Sequence, residues 1–222
     1  MSSDDDTDMQ TVRRAEMLAV LRRRGIASEA VLDAMAQVPR ERFVPDHLAE
    51  LAYEDGALPI GDGQTISQPY IVALMTEAAE LGPESRVLEV GTGSGYSTAI
   101  LSLLAGHVFS IERHDTLATA ARERLEMGGY LDNVTLSVGD GTLGLPEKAP
   151  FDAIIIAAAG PRVPEALRAQ LARGGRLIMP VGSASGPQKL TCVTRDGEEN
   201  FRTEDLAPVS FVPLIGAQGW QR

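Results

Sequence analysis

The chain has 222 residues, 44% hydrophobic and 23% charged, which supplies one sizeable core and leaves no compositional sign of a fibrous or disordered protein. Its formal charge of −11, from 31 acidic against 20 basic residues, repels phosphate backbones unless cations gather in one patch. A single cysteine, Cys192, excludes an internal disulfide framework and gives no cluster for a structural zinc, so no metal is expected.

Residues 1–10, MSSDDDTDMQ, are acidic and lack apolar periodicity, and they read as a disordered tail. That start is the opposite of a basic, apolar secretory leader. No apolar run approaches the roughly 20 residues of a membrane span. The expectation is a cytoplasmic protein without membrane contact. Met17, Leu18 and Leu21 recur at helical spacing within 11–24, before Gly25. The basic cluster Arg22–Arg24, preceded by Arg13 and Arg14, reads as a solvated helix face and leaves nucleic acid out as a partner. A second helix is predicted over 28–37, capped by Ser28 and stopped before Pro39. The stretch 43–68 is punctuated by Pro45, Gly56, Pro59, Gly61 and Gly63 and reads as a long, functional loop.

From Gln68 the pattern alternates. A helix begins near Pro69, followed by a strand over 86–90, a glycine turn and a helix over 96–104. A strand at 107–112 precedes a helix at 116–127, for which Asp115 is the expected cap. Strands at 133–139 and 151–157 follow, then a helix at 164–172 and two strands, GGRLIMPVG and KLTCVTRD, the second leading into a turn at Asp196-Gly197. Short apolar strands alternating with helices imply an α/β fold, a mostly parallel sheet with helices on both faces. The domain division expected is one unit over 11–222, with helices and loop at 11–64 added to a core and covering tail at 65–222.

The sharpest motif is Glu89-Val90-Gly91-Thr92-Gly93-Ser94-Gly95, between the first core strand and its helix. Ligands of open parallel sheets bind beyond the carboxyl ends of the strands, where glycine lets the backbone come close. A dinucleotide site needs G-x-G-x-x-G. Here Tyr96 follows Gly95, and Glu89 would meet a pyrophosphate with like charge. A cation reverses that objection. The segment resembles the Rossmann-like fold of S-adenosylmethionine-dependent methyltransferases, whose cofactor carries an ammonium and a sulfonium and has no phosphate. Glu112, ending the next strand, is placed to accept the ribose hydroxyls, and Asp140 beside Gly141, after the third, to accept the adenine amino group.

The run AYEDGALPIGDGQTISQPYIVALMTE, with PRERFVP upstream and SIER, VGDGTLG, APFDAIIIAAA and VSFVPLIG downstream, resembles the protein-L-isoaspartate (D-aspartate) O-methyltransferase family from about Arg24 to Gly219. That resemblance implies methylation of isoaspartyl carboxylates in damaged peptides and proteins, with S-adenosyl-L-homocysteine as co-product, opening repair through a succinimide. It implies Ser67 as the catalytic serine, with Thr65 and Ile66 forming the wall between cofactor and substrate. It makes the cofactor set Thr65, Ile66, Ser67, Glu89, Gly91, Thr92, Gly93, Gly95, Tyr96, Glu112, Arg113, Asp140 and Gly141. Family members commonly carry threonine where this chain has Ala157, which bears on rate or substrate range. Read from residues alone, Ser67 is first a helix cap, a role compatible with facing a ligand.

A carboxylate is ionised at pH 7, so its methylation needs no general base. His47, His107 and His114 accordingly show no nucleophile at motif spacing. Base amino methylation needs an Asn-Pro-Pro-Tyr type run where this chain has Ala157-Ala158-Ala159-Gly160, and Cys192 lies in an apolar strand. The remaining alternatives are an esterifier of aspartate in a dedicated natural-product peptide and a silent cofactor-binding module. Peptide recognition is expected from the loop 53–64 and the segment FVPLIGAQGW. A monomer is expected.

Overall fold

The computed structural model describes residues 3–221. Helix α1 spans Ser3–Arg23, so the acidic stretch expected to be disordered is helical from Ser3 onward; Met1 and Ser2 lie outside the described residues. Negative charge is favourable at the positive end of a helix dipole, which a compositional reading leaves out. Met17 and Leu21 of α1 are buried against α2 (Glu29–Gln37), whose cap Ser28 accepts the Val31 N–H at 3.4 Å.

The stretch expected to be a structureless loop contains two 3-10 turns, at Arg40–Phe43 and Asp46–Leu51, and an antiparallel hairpin. Its strands, β1 (Leu58–Gly61) and β2 (Gln64–Ile66), are too short to show alternation in sequence. The turn between them holds Gly61, Asp62 and Gly63 at φ of 100°, 51° and 69°, a left-handed run that two glycines make affordable. The hairpin straddles the boundary expected at 64–65.

Helix α3 (Pro69–Ala78) follows, then β3 (Arg86–Val90), α4 (Tyr96–Leu104), β4 (His107–Glu112), α5 (Asp115–Gly128), β5 (Val134–Val138) and β6 (Phe151–Ile156). Asp115 is the first residue of α5 rather than its cap, which is His114. Helix α6 is only Glu165–Ala169, because Leu171 already pairs with Phe151 at the start of β7 (Leu171–Gly182). Strands β8 (Gln188–Arg195) and β9 (Phe201–Val209) complete the sheet. The sequence reading stopped at β8. Strand β9 carries charges and Pro208 along an edge, a pattern that blocks further pairing and hides the strand from an apolar scan.

The strand order is β5-β4-β3-β6-β7-β8-β9, parallel as far as β7 and antiparallel beyond it. β3 pairs with β4 on one side and β6 on the other, so the carboxyl ends of these three strands surround the point where the order reverses. Leu88, Ile154, Ile156, Leu177 and Met179 form the core on one face. Val87, Ile155 and Ile178 pack on the other, against Ile71 and Met75 of α3 and Leu101 of α4. The N-terminal helices bury Leu32, Met35 and Phe43 against Tyr96 and Ile100 of α4, which fixes the added segment to the glycine-loop helix.

Candidate active site

The loop after β3 turns through Gly91, Gly93 and Gly95 at φ of 97°, 54° and 91°, conformations strained for any side chain. Glu112, at the end of β4, holds this turn. Its Oε2 accepts the Gly93 N–H at 2.8 Å, and its Oε1 accepts those of Arg113 and His114 at 2.8 and 2.9 Å. Three donors do not exhaust a carboxylate's four lone-pair positions, so Glu112 retains acceptor capacity.

A cavity of about 320 Å³ opens above this turn. Gly91, Gly93, Glu112, Arg113, Gly141 and Thr65 line it. A Cβ on Gly141 would meet Val90 Cγ1 at 2.3 Å, so the backbone there passes where no side chain fits.

Several residues expected in contact with cofactor lie elsewhere. Glu89 is fully buried behind the loop: its Oε2 accepts from Thr98 Oγ1 at 2.5 Å and Ser110 Oγ at 2.6 Å. Because Ser110 gives its proton to Glu89, Thr92 must donate to Ser110, at 2.6 Å; Glu89 and Thr92 thus brace the loop from below. Burial, against the hydrogen bonds from Ser110 and Thr98, pushes the Glu89 carboxyl up to about 6. Its Oε1 is buried without a hydrogen-bond partner among the described residues. Gly95 faces α5, where an added Cβ would stand 3.3 Å from Leu125 Cγ, so its role is helix packing. Tyr96 is buried against Phe43, with ring centroids 5.7 Å apart, on the side away from the cavity. Ile66 is core.

Asp140 is half-buried and does not line the cavity. Its Oδ1 accepts from the Thr142 N–H and hydroxyl at 2.9 and 2.7 Å, and its Oδ2 from the Ala217 N–H at 2.7 Å. Burial alone would raise this carboxyl, but the bonds from Ala217 and Thr142 hold it below the usual value. Asp140 is therefore a staple for the C-terminal segment. That segment crosses the cavity: Val212, Pro213, Leu214 and Ile215 line it, Ala159 exchanges backbone bonds with Val212 and Leu214 at 2.8 Å, and the Trp220 indole donates to Ala159 O at 3.1 Å. Sequence reasoning gave this segment to peptide recognition. Its approach to the glycine loop spans too much chain to leave any local signal. The hairpin turn Asp62-Gly63-Gln64, in the loop that sequence reasoning gave to peptide recognition, is a second wall of this cavity, and Asp62 accepts from the Thr116 hydroxyl in the first turn of α5.

A second cavity, of about 430 Å³, adjoins the first. Ser67 lines it together with Gln68, Ile71, Ser210 and Phe211, and Thr65, Ala157 and Val212 line both. Among the described residues no charged side chain faces this second cavity. Ser67 does not cap α3, whose cap position is Gln68, a residue whose side chain makes no capping bond to the helix.

The first cavity fits S-adenosyl-L-methionine. It is a small-molecule volume with acidic Asp62 and Glu112 and basic Arg113 on its walls, a lining with both signs of charge that suits a ligand carrying an ammonium, a sulfonium and a carboxylate. Its glycine turn leaves backbone close to the space, and Glu112 can still accept a ribose hydroxyl.

Residues 12–219 match the model of the protein-L-isoaspartate(D-aspartate) O-methyltransferase family. The chain is 57% identical to protein-L-isoaspartate O-methyltransferase 2 of Pelobacter propionicus, covering 95% of this chain and 94% of that one. It is 57% identical to protein-L-isoaspartate O-methyltransferase of Methylorubrum populi, covering 95% and 99%. Among solved structures, a protein-L-isoaspartate O-methyltransferase superposes with a TM-score of 0.83 at 31% identity, over 93% of this chain and 67% of that one. A beta-aspartate methyltransferase from Plasmodium falciparum, in complex with S-adenosyl-L-homocysteine, does so with 0.80 at 29%, over 90% and 97%. The acid-braced glycine turn, the two adjoining cavities and these matches agree, and the chain belongs to the protein-L-isoaspartate(D-aspartate) O-methyltransferase family.

Proposed function

We propose that this enzyme transfers a methyl group from S-adenosyl-L-methionine to the carboxylate of L-isoaspartyl residues in peptides and proteins, with D-aspartyl residues as a second substrate. The observation that carries the reading is the pair of cavities meeting at Thr65, Ala157 and Val212, one acid-walled beside the glycine turn, the other uncharged beside Ser67.

When bound, S-adenosyl-L-methionine supplies an electrophilic methyl on a sulfonium. Glu112, Gly91, Gly93, Arg113, Gly141 and Thr65 would hold it in the first cavity, and Glu89 and Thr92 keep the loop in shape from behind. Ser67 donates a hydrogen bond that orients the acceptor carboxylate in the second cavity. No side chain needs to take a proton, because the acceptor is already ionised at pH 7. A fixed cation beside the acceptor would stabilise the carboxylate before reaction more than in the transition state, where its charge is being lost. An uncharged pocket avoids that penalty. Catalysis then rests on alignment through the shared wall, an effect worth about 7–11 kcal/mol in favourable cases. The resulting ester favours succinimide closure, which starts repair.

The charge of −11 supports the absence of a nucleic-acid partner. No helix among the described residues is long and apolar enough to cross a membrane. We read the enzyme as a cytoplasmic monomer.

The test is methyl transfer from labelled S-adenosyl-L-methionine to matched peptides containing isoaspartate, D-aspartate or normal aspartate. Base-labile label on the isoaspartyl peptide and none on the normal one is expected. Ser67→Ala should lower kcat about tenfold or more while S-adenosyl-L-homocysteine affinity stays within twofold. Equal loss of cofactor affinity would remove Ser67 from the acceptor side.

A further inference from the structure

Arg40 is completely buried, and no carboxylate pairs with it among the described residues. Removing a guanidinium from water without a counter-ion is costly, and an apolar side chain would fill the same space at less cost. What offsets the burial is a set of directed contacts. Nε donates to Ala52 O at 2.7 Å and Nη2 to Ser67 O at 2.8 Å, while the guanidinium lies over the Tyr96 ring, 4.7 Å from its centroid.

These contacts join three parts of the site. Ala52 enters the turn whose Asp55 accepts, through its carbonyl, from Gln68 Nε2 at 2.9 Å and, through its carboxylate, from the Tyr70 N–H at 3.1 Å. Ser67 is the residue facing the uncharged cavity. Tyr96 is the first residue of α4, directly after the glycine turn of the other cavity. One planar cation thus touches the backbone of the acceptor serine and the helix that carries the donor loop. The rigid guanidinium fork sets Nε on one carbonyl and Nη2 on the other in a fixed geometry, which lysine's compact point charge on a flexible stem does not reproduce.

We propose that Arg40 is a positioning residue for methyl transfer: by holding the Ser67 carbonyl and resting on Tyr96, it sets the acceptor serine against the glycine loop. The proposal rests on the acceptor role given above to Ser67. It acts through the Ser67 backbone, so its loss misplaces the hydroxyl without removing it. Misplacement of about 1 Å is enough to cost up to about a hundredfold in rate.

The experiment is a double-mutant cycle on the full chain. Arg40→Met, Ser67→Ala and the double variant are assayed for kcat and KM on an isoaspartyl peptide, with S-adenosyl-L-homocysteine affinity read by calorimetry and folding by circular dichroism. Arg40→Met is expected to lower kcat about tenfold with cofactor affinity within twofold, and to add little once Ser67 is alanine. Arg40→Lys, which keeps the charge and one bond, should recover part of the rate. Full additivity of the two losses would overturn the proposal, as would a parallel loss of cofactor affinity. Failure of both Arg40 variants to fold would assign the residue to the fold alone and overturn it too. If Ser67→Ala leaves kcat unchanged while Arg40→Met lowers it, the serine's role fails first and this proposal falls with it. If Ser67→Ala lowers kcat and Arg40→Met does not, only this proposal falls.

Discussion

Replacing Glu89 with glutamine keeps the side chain's shape and removes a charge that lies in a fully buried site. The carboxyl is pushed from its ordinary 4.5 up to about 6 by burial, so its ionised form is disfavoured in the folded chain. Below pH 4.5 folded and unfolded chains both carry the proton, and the group's contribution to stability is intact. As pH rises from 4.5 to about 6 the unfolded chain ionises first, so stability is lost across that window and stays lost above it. At about 1.4 kcal/mol per pKa unit, the deficit at neutral pH is about 2 kcal/mol. Glu89→Gln removes it, and the glutamine oxygen can still accept from Thr98 and Ser110. For a chain of this size that gain corresponds to a Tm about 4–8 °C higher. Thermal melts of both proteins without cofactor, at pH 7.5 and at pH 4.5, provide the check. The variant should melt higher at pH 7.5 and nearly level with the parent at pH 4.5. A variant that melts lower at pH 7.5, or a difference that does not change with pH, would refute the assignment of a strained buried charge.

Glu112→Ala frees three backbone N–H groups and is expected to weaken S-adenosyl-L-homocysteine binding at least about tenfold by calorimetry, far more than Glu89→Gln does. Gly95→Ala places a side chain at φ 91° within 3.3 Å of Leu125 and should cost about 1–3 kcal/mol in denaturant unfolding, with cofactor affinity of the folded protein unchanged. Asp140→Asn loses one carboxylate bond in the tail staple, about 1 kcal/mol, and should speed hydrogen exchange at the Ala217 amide. Because this carboxyl is held below its usual range, the stability it supplies is present at neutral pH and lost on acidification, so the difference from the parent should shrink below the ordinary carboxylate range.

The strand–turn–helix order was legible because β3, β4 and β6 are short apolar runs separated by turn residues, and burial on both faces demands such runs. Glu112 was legible as the acid closing β4, and it does line the first cavity. Glu89 misled for a physical reason. Along β3 alternate residues point to opposite faces, so Glu89 shares the α4 side with Val87 while Val90 shares the cavity side with Leu88. Counting back from the glycines gives the position of an acid but not its face. Asp140 misled differently: its partner at Ala217 is remote in sequence, and nothing local announces that both oxygens are already engaged. The hairpin over the glycine loop and the edge strand β9 escaped because short or charged strands carry too little apolar alternation to register. Arg40 reads in sequence as one more charge in PRERF, since burial of a cation has no pattern of its own.

The uncharged second cavity has a consequence for turnover. On the proposed mechanism, a carboxylate entering it would be drawn chiefly by the positive sulfonium of the bound cofactor, an attraction that water exclusion would strengthen. Methyl transfer would convert that pair into a neutral ester and a neutral thioether. With Thr65, Ser67, Gln68 and Ser210 as the polar side chains of the lining, no fixed charge would be left to hold the product. The same event that completes the chemistry would abolish the charge attraction that assembled the complex, leaving the product only the pocket's neutral hydrogen bonds, and so would help clear the site for the next damaged residue.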